Sequence, residues 1–269
     1  MVLLDMLVGL LGVEIVVAHV DHGIRADSGK DTELVRQLAE KYQLPVETTK
    51  LDLGGKRDEK SARDGRHAWL KSVCKSHGAD SIVTAHHADD VLETIVINMI
   101  RGTGWRGLCS LRETGEYKRP LIHMTKADIV RYAIEHELEW NEDSTNEDVR
   151  YLRNYVRHGV VPQLSLEQKQ FLSALYEKQC RINGMIEADT DQLLQLATED
   201  DDALSRYWLI MIPDGVAWEL LRKKYGAMTR AQLERLLAFA RTAPHGAKLE
   251  LSGLQSFRVT PRQLVVYNR

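Results

Sequence analysis

Residues 81–94 read SIVTAHHADDVLET, a short apolar run that ends in two histidines and passes into an acidic segment with helical patterning. Ser81 to Ala85 is apolar and β-branched enough for a buried strand. Beyond it Val91, Leu92, Ile95, Val96 and Met99 recur at helical spacing, while Asp90 and Glu93 project together on the other side. A strand that yields to a helix with polar groups gathered at the exit is the repeating unit of parallel α/β sheets, which bind ligands beyond the carboxyl ends of their strands.

The same alternation extends outward. Val13 to Val20 predicts a second buried strand, and Pro45 to Leu53 a weaker one. Leu34, Val35, Leu38, Ala39 and Tyr42 form a helical stripe after Ser28-x-x-Asp31, and Ile129, Val130, Ala133 and Ile134 form another after Thr125-x-x-Asp128, both starts resembling capping boxes. Two long connections, Arg101 to Pro120 and Glu139 to Asp148, read as loops, which in compact domains tend to carry function. After Pro162 the chain turns helical and charge-rich. It ends in alternating residues, Lys248 to Tyr267, that predict a β-hairpin around Thr260-Pro261-Arg262. The expectation is an α/β parallel-sheet domain over 1–164, then a mainly helical domain over 165–269 with a terminal hairpin.

Composition narrows the function classes. With 269 residues, 43% apolar and 28% charged, the chain is of ordinary globular type. A net charge of −3 argues against a strongly basic nucleic-acid binder, so an RNA partner would be held by local patches. Cys74, Cys109 and Cys180 are odd in number and far apart in sequence, which argues against a disulfide framework or CxxC site and for a reducing, cytoplasmic compartment. The apolar opening from Met1 to Val20 carries Asp5 and Glu14 and lacks a basic start, so it reads as core and not as a signal or membrane span.

Five clusters are candidates for chemistry. Asp90 and Glu93, beside His86 and His87, offer hard oxygen ligands for Mg²⁺ and groups to accept a proton. The bland alternative is the solvated face of an amphipathic helix. His19-Val20-Asp21-His22-Gly23-Ile24-Arg25 lies at another strand exit. It lacks the further ligands of a zinc site and reads better as a nucleotide-contacting turn. Arg63 and Arg66 share a helix side and suit phosphate, although exposed helix arginines are commonly only solvated. Arg101-Gly102-Thr103-Gly104 opens a glycine-rich loop, a weak anion-binding signal alone. Arg150, Arg153 and Arg157 recur at helical spacing after Glu142-Asp143-Ser144-Thr145-Asn146, giving either a basic ridge for RNA phosphates or a helix paired with those acids.

Taken in order, AHVDHGIRADS (18–28), SARDGRH (61–67), TAHHADDVLETIVINMIRGTGWRGL (84–108), KRPLI (118–122) and WNEDSTNEDVRYLRNYVRHGVVPQL (140–164) resemble the tRNA(Ile)-lysidine synthetases, a branch of the N-type PP-loop ATP pyrophosphatases. The resemblance implies that ATP, with Mg²⁺, adenylates the wobble cytidine of an isoleucine tRNA bearing a CAU anticodon. Free L-lysine then displaces AMP to form lysidine. It further implies that Asp90, His86, Glu93 and Arg66 are catalytic, that Asp90 and Glu93 hold the metal, and that Ala18, His19, Arg63 and Arg66 contact the nucleotide. Arg101 to Gly104 would line the lysine or cytidine side, and Arg153 and Arg157 would meet tRNA; a homodimeric state is left open. The family's S-G-G-x-D-S loop has no counterpart before Met1 to Leu7, which resembles the helix that follows that loop. The expectation is weakened ATP binding and exposed strand edges, from a start placed too late or, as the rival, a fragment or decayed copy. Other PP-loop enzymes, such as tRNA thiolases, and a non-catalytic tRNA-binding remnant are the alternative functions.

Overall fold

The computed structural model describes residues 1–21, 28–50, 59–141, 148, 150–198, 203–226, 228–251 and 256–267. Two pairs of parallel strands arise from the apolar, β-branched runs. In the first, β1 (Val17–Asp21) pairs with β2 (Val46–Lys50) in the register Val17 to Val46 through Asp21 to Lys50, the crossover being α2 (Ser28–Lys41). In the second, β3 (Ile82–Val83) pairs with β4 (Tyr117–Lys118), and the Thr84 N–H extends the ladder by donating to Lys118 O at 3.0 Å. Helix α3 (Glu59–Ser76) touches both β1 and β3, so it lies across the two pairs. Among the described residues, β1 and β3 are not hydrogen-bonded to each other.

The predicted strand Ser81 to Ala85 is shorter in the fold, because Thr84 to His87 turn the chain into the start of α4 (Ala88–Ile100). Strand β4 falls inside the stretch expected to be irregular, Arg101 to Pro120, which also contains a 3₁₀ turn over Trp105–Cys109. The helix expected over Met1 to Leu7 is present as α1 (Val2–Val8), whose Val2 and Met6 pack on Ala133, Ile129 and Tyr132 of α5 (Lys126–Glu135). Asp5 secures this contact, accepting hydrogen bonds from the Tyr42 and Tyr132 hydroxyls.

The larger core of this region forms on the apolar face of α4. Val91, Leu92, Ile95 and Ile97 meet Cys109, Leu111, Ile122, Val156, Val161, Leu172 and Tyr176. Ile95 and Val156 are wholly buried, each such side chain contributing about 2 kcal/mol. Val156 opens a π turn (Val156–Val160) that follows α6 (Leu152–Tyr155), and α7 (Leu166–Ala197) supplies the remaining wall.

The chain divides into two compact units, Met1–Cys180 and Arg181–Arg269, so α7 contributes to both. The second unit packs α8 (Arg206–Met211), α9 (Asp214–Tyr225) and α10 (Arg230–Thr242) on an antiparallel sheet. The sheet's order is β5 (Leu204–Ser205), β8 (Gln263–Tyr267), β7 (Ser256–Val259), β6 (Lys248–Glu250). Leu209, Leu220, Leu221, Leu233, Leu236, Phe257 and Leu264 are wholly buried in its core. The predicted hairpin is the β7–β8 pair, where Thr260 Oγ1 accepts from Gln263 N at 2.9 Å; β6 opens the same alternating stretch as a third strand, and β5 is the strand of this sheet that the sequence pattern did not announce. Arg206 donates to Ala240, Arg241 and Ala243 carbonyls, satisfying the end of α10. No helix among the described residues is long and apolar enough to cross a membrane.

Candidate anion-binding site at the exit of β3

The start of α4 is fixed by several hydrogen bonds. His87 is the N-cap, and Asp90, three residues on, closes the cap by accepting from the His87 N–H at 3.0 Å. Ala88 N donates to Met124 O at 2.8 Å, and Asp89 accepts from the Lys126 N–H at 2.7 Å, tying this end of α4 to the start of α5. The neighbouring His87 ring and then that Lys126 N–H hold the Asp89 carboxyl down to about 2. His87 Nδ1 lies 3.6 Å from Asp89 Oδ2, an ionic separation longer than a hydrogen bond, and is a buried nitrogen without a hydrogen-bond partner.

His86 sits just outside the helix with Nδ1 2.9 Å from Thr84 Oγ1. Burial pushes its imidazole from 6.5 down to about 4; Asp90 opposes this, while Arg119, Arg153 and Arg66 reinforce it. The ring is therefore neutral at physiological pH, an acceptor or donor for a ligand and not a cation.

Asp90 and Glu93 are buried, and neither faces solvent as a lone acidic pair would. Glu93 Oε1 accepts from Arg157 Nε at 2.6 Å, and its Oε2 accepts from Arg153 Nε at 3.1 Å and Arg157 Nη2 at 3.0 Å. Asp90 Oδ1 accepts from Arg153 Nη2 at 3.1 Å and Arg157 Nη2 at 3.4 Å, while Oδ2 faces His87. The two arginines reach inward because the π turn after α6 lays that segment against α4, burying Val156. Predicted as an RNA-facing ridge, Arg153 and Arg157 in this structure close on the two carboxylates.

All four carboxylate oxygens are thus engaged by arginines or by His87. A Mg²⁺ ion, which prefers several oxygen ligands in near-octahedral array, would have to displace a guanidinium to reach Glu93, and a guanidinium or the His87 contact to reach Asp90. Among the described residues, no group of three or more His, Cys, Asp or Glu side chains is placed to hold a metal ion. The arrangement present does not fit Mg²⁺ on Asp90 and Glu93.

It does fit an anion. Burial lowers Arg66, with Arg63 and Arg153 adding to the effect as like charges. The same positive field, after burial, lowers His67, whose Nδ1 lies 2.7 Å from the Tyr117 hydroxyl. Arg119, which sequence reasoning quoted in KRPLI without giving it a role, is 7% exposed and lies over the Tyr117 ring. Its Nη1 donates to Arg112 O at 2.7 Å, whereas its Nε is buried with no partner. Arg66, Arg119, Arg153 and the neutral His86 therefore share one region at the end of β3, with positive charge in excess.

The other expected residues lie elsewhere. Ala18 and His19 are half-buried in β1, and burial lowers the His19 pKa, against the pull of Asp31 and Asp21. Arg63 is exposed on α3. Arg101, Gly102, Thr103 and Gly104 are exposed at the opposite end of α4, roughly 16 Å along its axis from Asp90. There Gly102 adopts a positive φ of 63°, and Thr103 Oγ1 donates to Asn98 O at 2.9 Å. His22 to Arg25 and Glu142 to Asn146 lie outside the described residues.

This strand-exit site on a parallel α/β frame accompanies a direct match: a family profile for PP-loop domains covers residues 1–164, and the chain belongs to that PP-loop family. Within it, the resemblance is to tRNA(Ile)-lysidine synthases. The protein of that name from Thermotoga sp. (strain RQ2) is 41% identical over 160 residues, 57% of this chain and 39% of that protein. The one from Geobacter sulfurreducens is 31% identical over 258 residues, 89% of this chain and 52% of that protein. The chain thus spans about two fifths of the length of the first of these relatives. Among solved structures, a U34-tRNA thiolase, NcsA from Methanococcus maripaludis with its [4Fe-4S] cluster, shares the fold at a TM-score of 0.55, 16% identity and 67% of both chains. Cys109 and Cys180 share the apolar core beside Tyr176, where contact with Cys109 and burial push the Cys180 thiol up, and Cys74 donates to Ala79 O at 3.1 Å.

Proposed function

We propose that this protein is a cytoplasmic tRNA(Ile)-lysidine synthetase, using ATP to adenylate the wobble cytidine of the CAU-anticodon isoleucine tRNA and L-lysine to displace AMP. The observation that carries the reading is the excess of arginines around a neutral histidine at the exit of β3, in a chain whose similar relatives bear that name. Charge that develops on phosphate during adenylation needs fixed cationic donors, and Arg66, Arg119 and Arg153 can supply them. The bound polyphosphate would also carry Mg²⁺, with phosphate oxygens and water as its main ligands.

In this reading residues 1–164 form the adenylating domain, and 165–269 an appendage for tRNA. Arg66 and Arg63 contact phosphate, and Ala18 and His19 border the adenosine. His86, neutral at physiological pH, donates to or accepts from the reacting groups. The exposed Arg101 to Gly104 loop meets the lysine or cytidine side. A thiolase reading would ask for thiolates gathered at the site, whereas Cys109 and Cys180 are in the core, with the Cys180 thiol held protonated.

The test is ATP-dependent transfer of labelled lysine to a transcript of that tRNA. Arg66→Ala is expected to lower transfer by at least a hundredfold. Transfer equal to the unaltered chain would remove the site assignment, and no lysine transfer here together with ATP-dependent incorporation of labelled sulfur into a transcript with a wobble uridine, given a sulfur donor, would favour the thiolase class.

A further inference from the structure

The acids at the start of α4 and the arginines of the α6 segment form a closed quartet whose exposure is graded. The side chains of Glu93 and Asp90 are 3% and 11% exposed, and those of Arg157 and Arg153 are 29% and 36% exposed. The carboxylates are therefore the inner half of the quartet and the guanidiniums the outer half. A guanidinium has five N–H donors in a rigid plane. Arg153 spends Nε on Glu93 and Nη2 on Asp90, leaving the Nη1 edge with no hydrogen bond to the described residues. Both acids grip the inner edge of the same plane, and this fixes the direction in which the outer edge points.

We propose that Asp90 and Glu93 are positioning residues that orient Arg153 so that its outer edge, with Arg66, grips a phosphate group at the exit of β3, and that neither acid ligates a metal ion. The geometry carries this: two carboxylates are held by two arginines, and Arg153, with its Nη1 edge left over, lies near enough to Arg66 and His86 to act on both electrostatically. Arg153 is among the like charges that depress Arg66, as expected of two cations facing a shared anion position. A pair of carboxylates under two arginines cancels their charge at long range, yet it leaves the planar fork of Arg153 pre-aligned for phosphate contact. The phosphate has two sources in a protein of the proposed function, the nucleotide and the RNA backbone, and both present the same oxygens.

The test is a double-mutant cycle on this chain, with inorganic pyrophosphate as the first probe, a tRNA transcript as the second, and Mn²⁺ alone as the third. Arg153→Ala is expected to weaken phosphate binding at least tenfold, and Glu93→Gln to weaken it comparably. The double variant should bind no more weakly than Arg153→Ala, because a positioning acid has nothing left to position. Arg153→Lys, which keeps the charge but cannot bridge both acids, should fall between. Loss confined to pyrophosphate assigns the site to the nucleotide, loss confined to tRNA assigns it to the RNA backbone, and loss of neither overturns the proposal. Mn²⁺ affinity without nucleotide should be the same in the unaltered chain and in Glu93→Gln; a metal site that Glu93→Gln abolishes overturns it, as does full additivity in the cycle. Circular dichroism checks each variant's fold, and if Glu93→Gln does not fold, Asp90→Asn carries the same cycle. These readouts measure phosphate and metal binding, so they stand apart from whether lysine is transferred.

Discussion

Replacing Glu93 by Gln removes one charge from the most buried member of the quartet while keeping its shape. Glu93 accepts three hydrogen bonds from guanidinium groups, at 2.6, 3.0 and 3.1 Å, and its side chain is 3% exposed. Removing one partner of a fully buried ion pair costs about 3–5 kcal/mol, because the other charge is left without compensation. Here Arg153 and Arg157 are roughly a third exposed, so water can take up part of the load, and Asp90 keeps one contact to each. The expected cost is thus about 2–3 kcal/mol. With a urea dependence of about 2 kcal/mol per molar, the midpoint of the first unit's transition should fall by about 1–1.5 M. Intrinsic fluorescence and far-ultraviolet circular dichroism followed through a urea titration would read it. Combining Glu93→Gln with Arg157→Gln should recover part of the loss, since the unpaired cation is then gone. A midpoint shift below about 0.3 M for Glu93→Gln would refute the view that these contacts hold α4 to the α6 segment.

Acid should weaken the fold through His86. Its pKa falls from 6.5 to about 4 in the folded chain, so the unfolded chain takes up a proton first; stability is intact above pH 6.5 and is lost as pH drops toward 4. The loss is at most about 3 kcal/mol and smaller where water reaches the ring; His86→Asn should flatten the stability–pH curve in that window, and an unchanged curve would contradict the assignment. At Gly107 an added Cβ would meet Thr103 Oγ1 at 2.2 Å and Thr103 Cβ at 2.9 Å. Gly107→Ala should therefore cost about 1–3 kcal/mol and speed hydrogen exchange in the Arg101 to Gly104 loop; equal exchange rates would show that the loop yields freely. Asp5→Asn removes the charged acceptor of Tyr42 and Tyr132, whose contact pushes the Tyr42 hydroxyl up to about 12. The cost should be about 1–2 kcal/mol, with faster amide exchange in α1, and protection equal to the unaltered chain would place the docking of α1 in Val2 and Met6 alone.

Much of the frame was legible because it depends on period and cap. The stripe from Val91 to Met99 predicted α4, and Thr125-x-x-Asp128 predicted the capping box of α5, in which Asp128 N donates to Thr125 Oγ1 at 3.1 Å. Apolar β-branched runs marked β1 and β3 to within a few residues. Strand β4 was not legible, since two residues leave no period to read and Tyr117–Lys118 is held by its neighbour β3 and by no pattern of its own. The site was half legible. Spacing showed that Asp90 and Glu93 share a side of one helix, and that Arg153 and Arg157 share a side of another, but helical spacing says nothing about which two sides face each other. That pairing depends on the π turn after Tyr155 and on the burial of Val156, both tertiary in origin. Arg119 was hidden for a related reason: within KRPLI nothing marks it as buried, and its burial with an unpartnered Nε is a property of the folded chain alone.

The most direct test of the account uses the chain in stoichiometric excess, ATP, Mg²⁺, radiolabelled lysine and the CAU-anticodon isoleucine tRNA transcript, with methionine tRNA of the same anticodon as control. The account predicts ATP-dependent label at the wobble cytidine of the isoleucine transcript alone, with AMP released in equal amount and both signals lost in Arg66→Ala. Bound ATP and bound tRNA with no label on the RNA, or label that persists in Arg66→Ala, would contradict it.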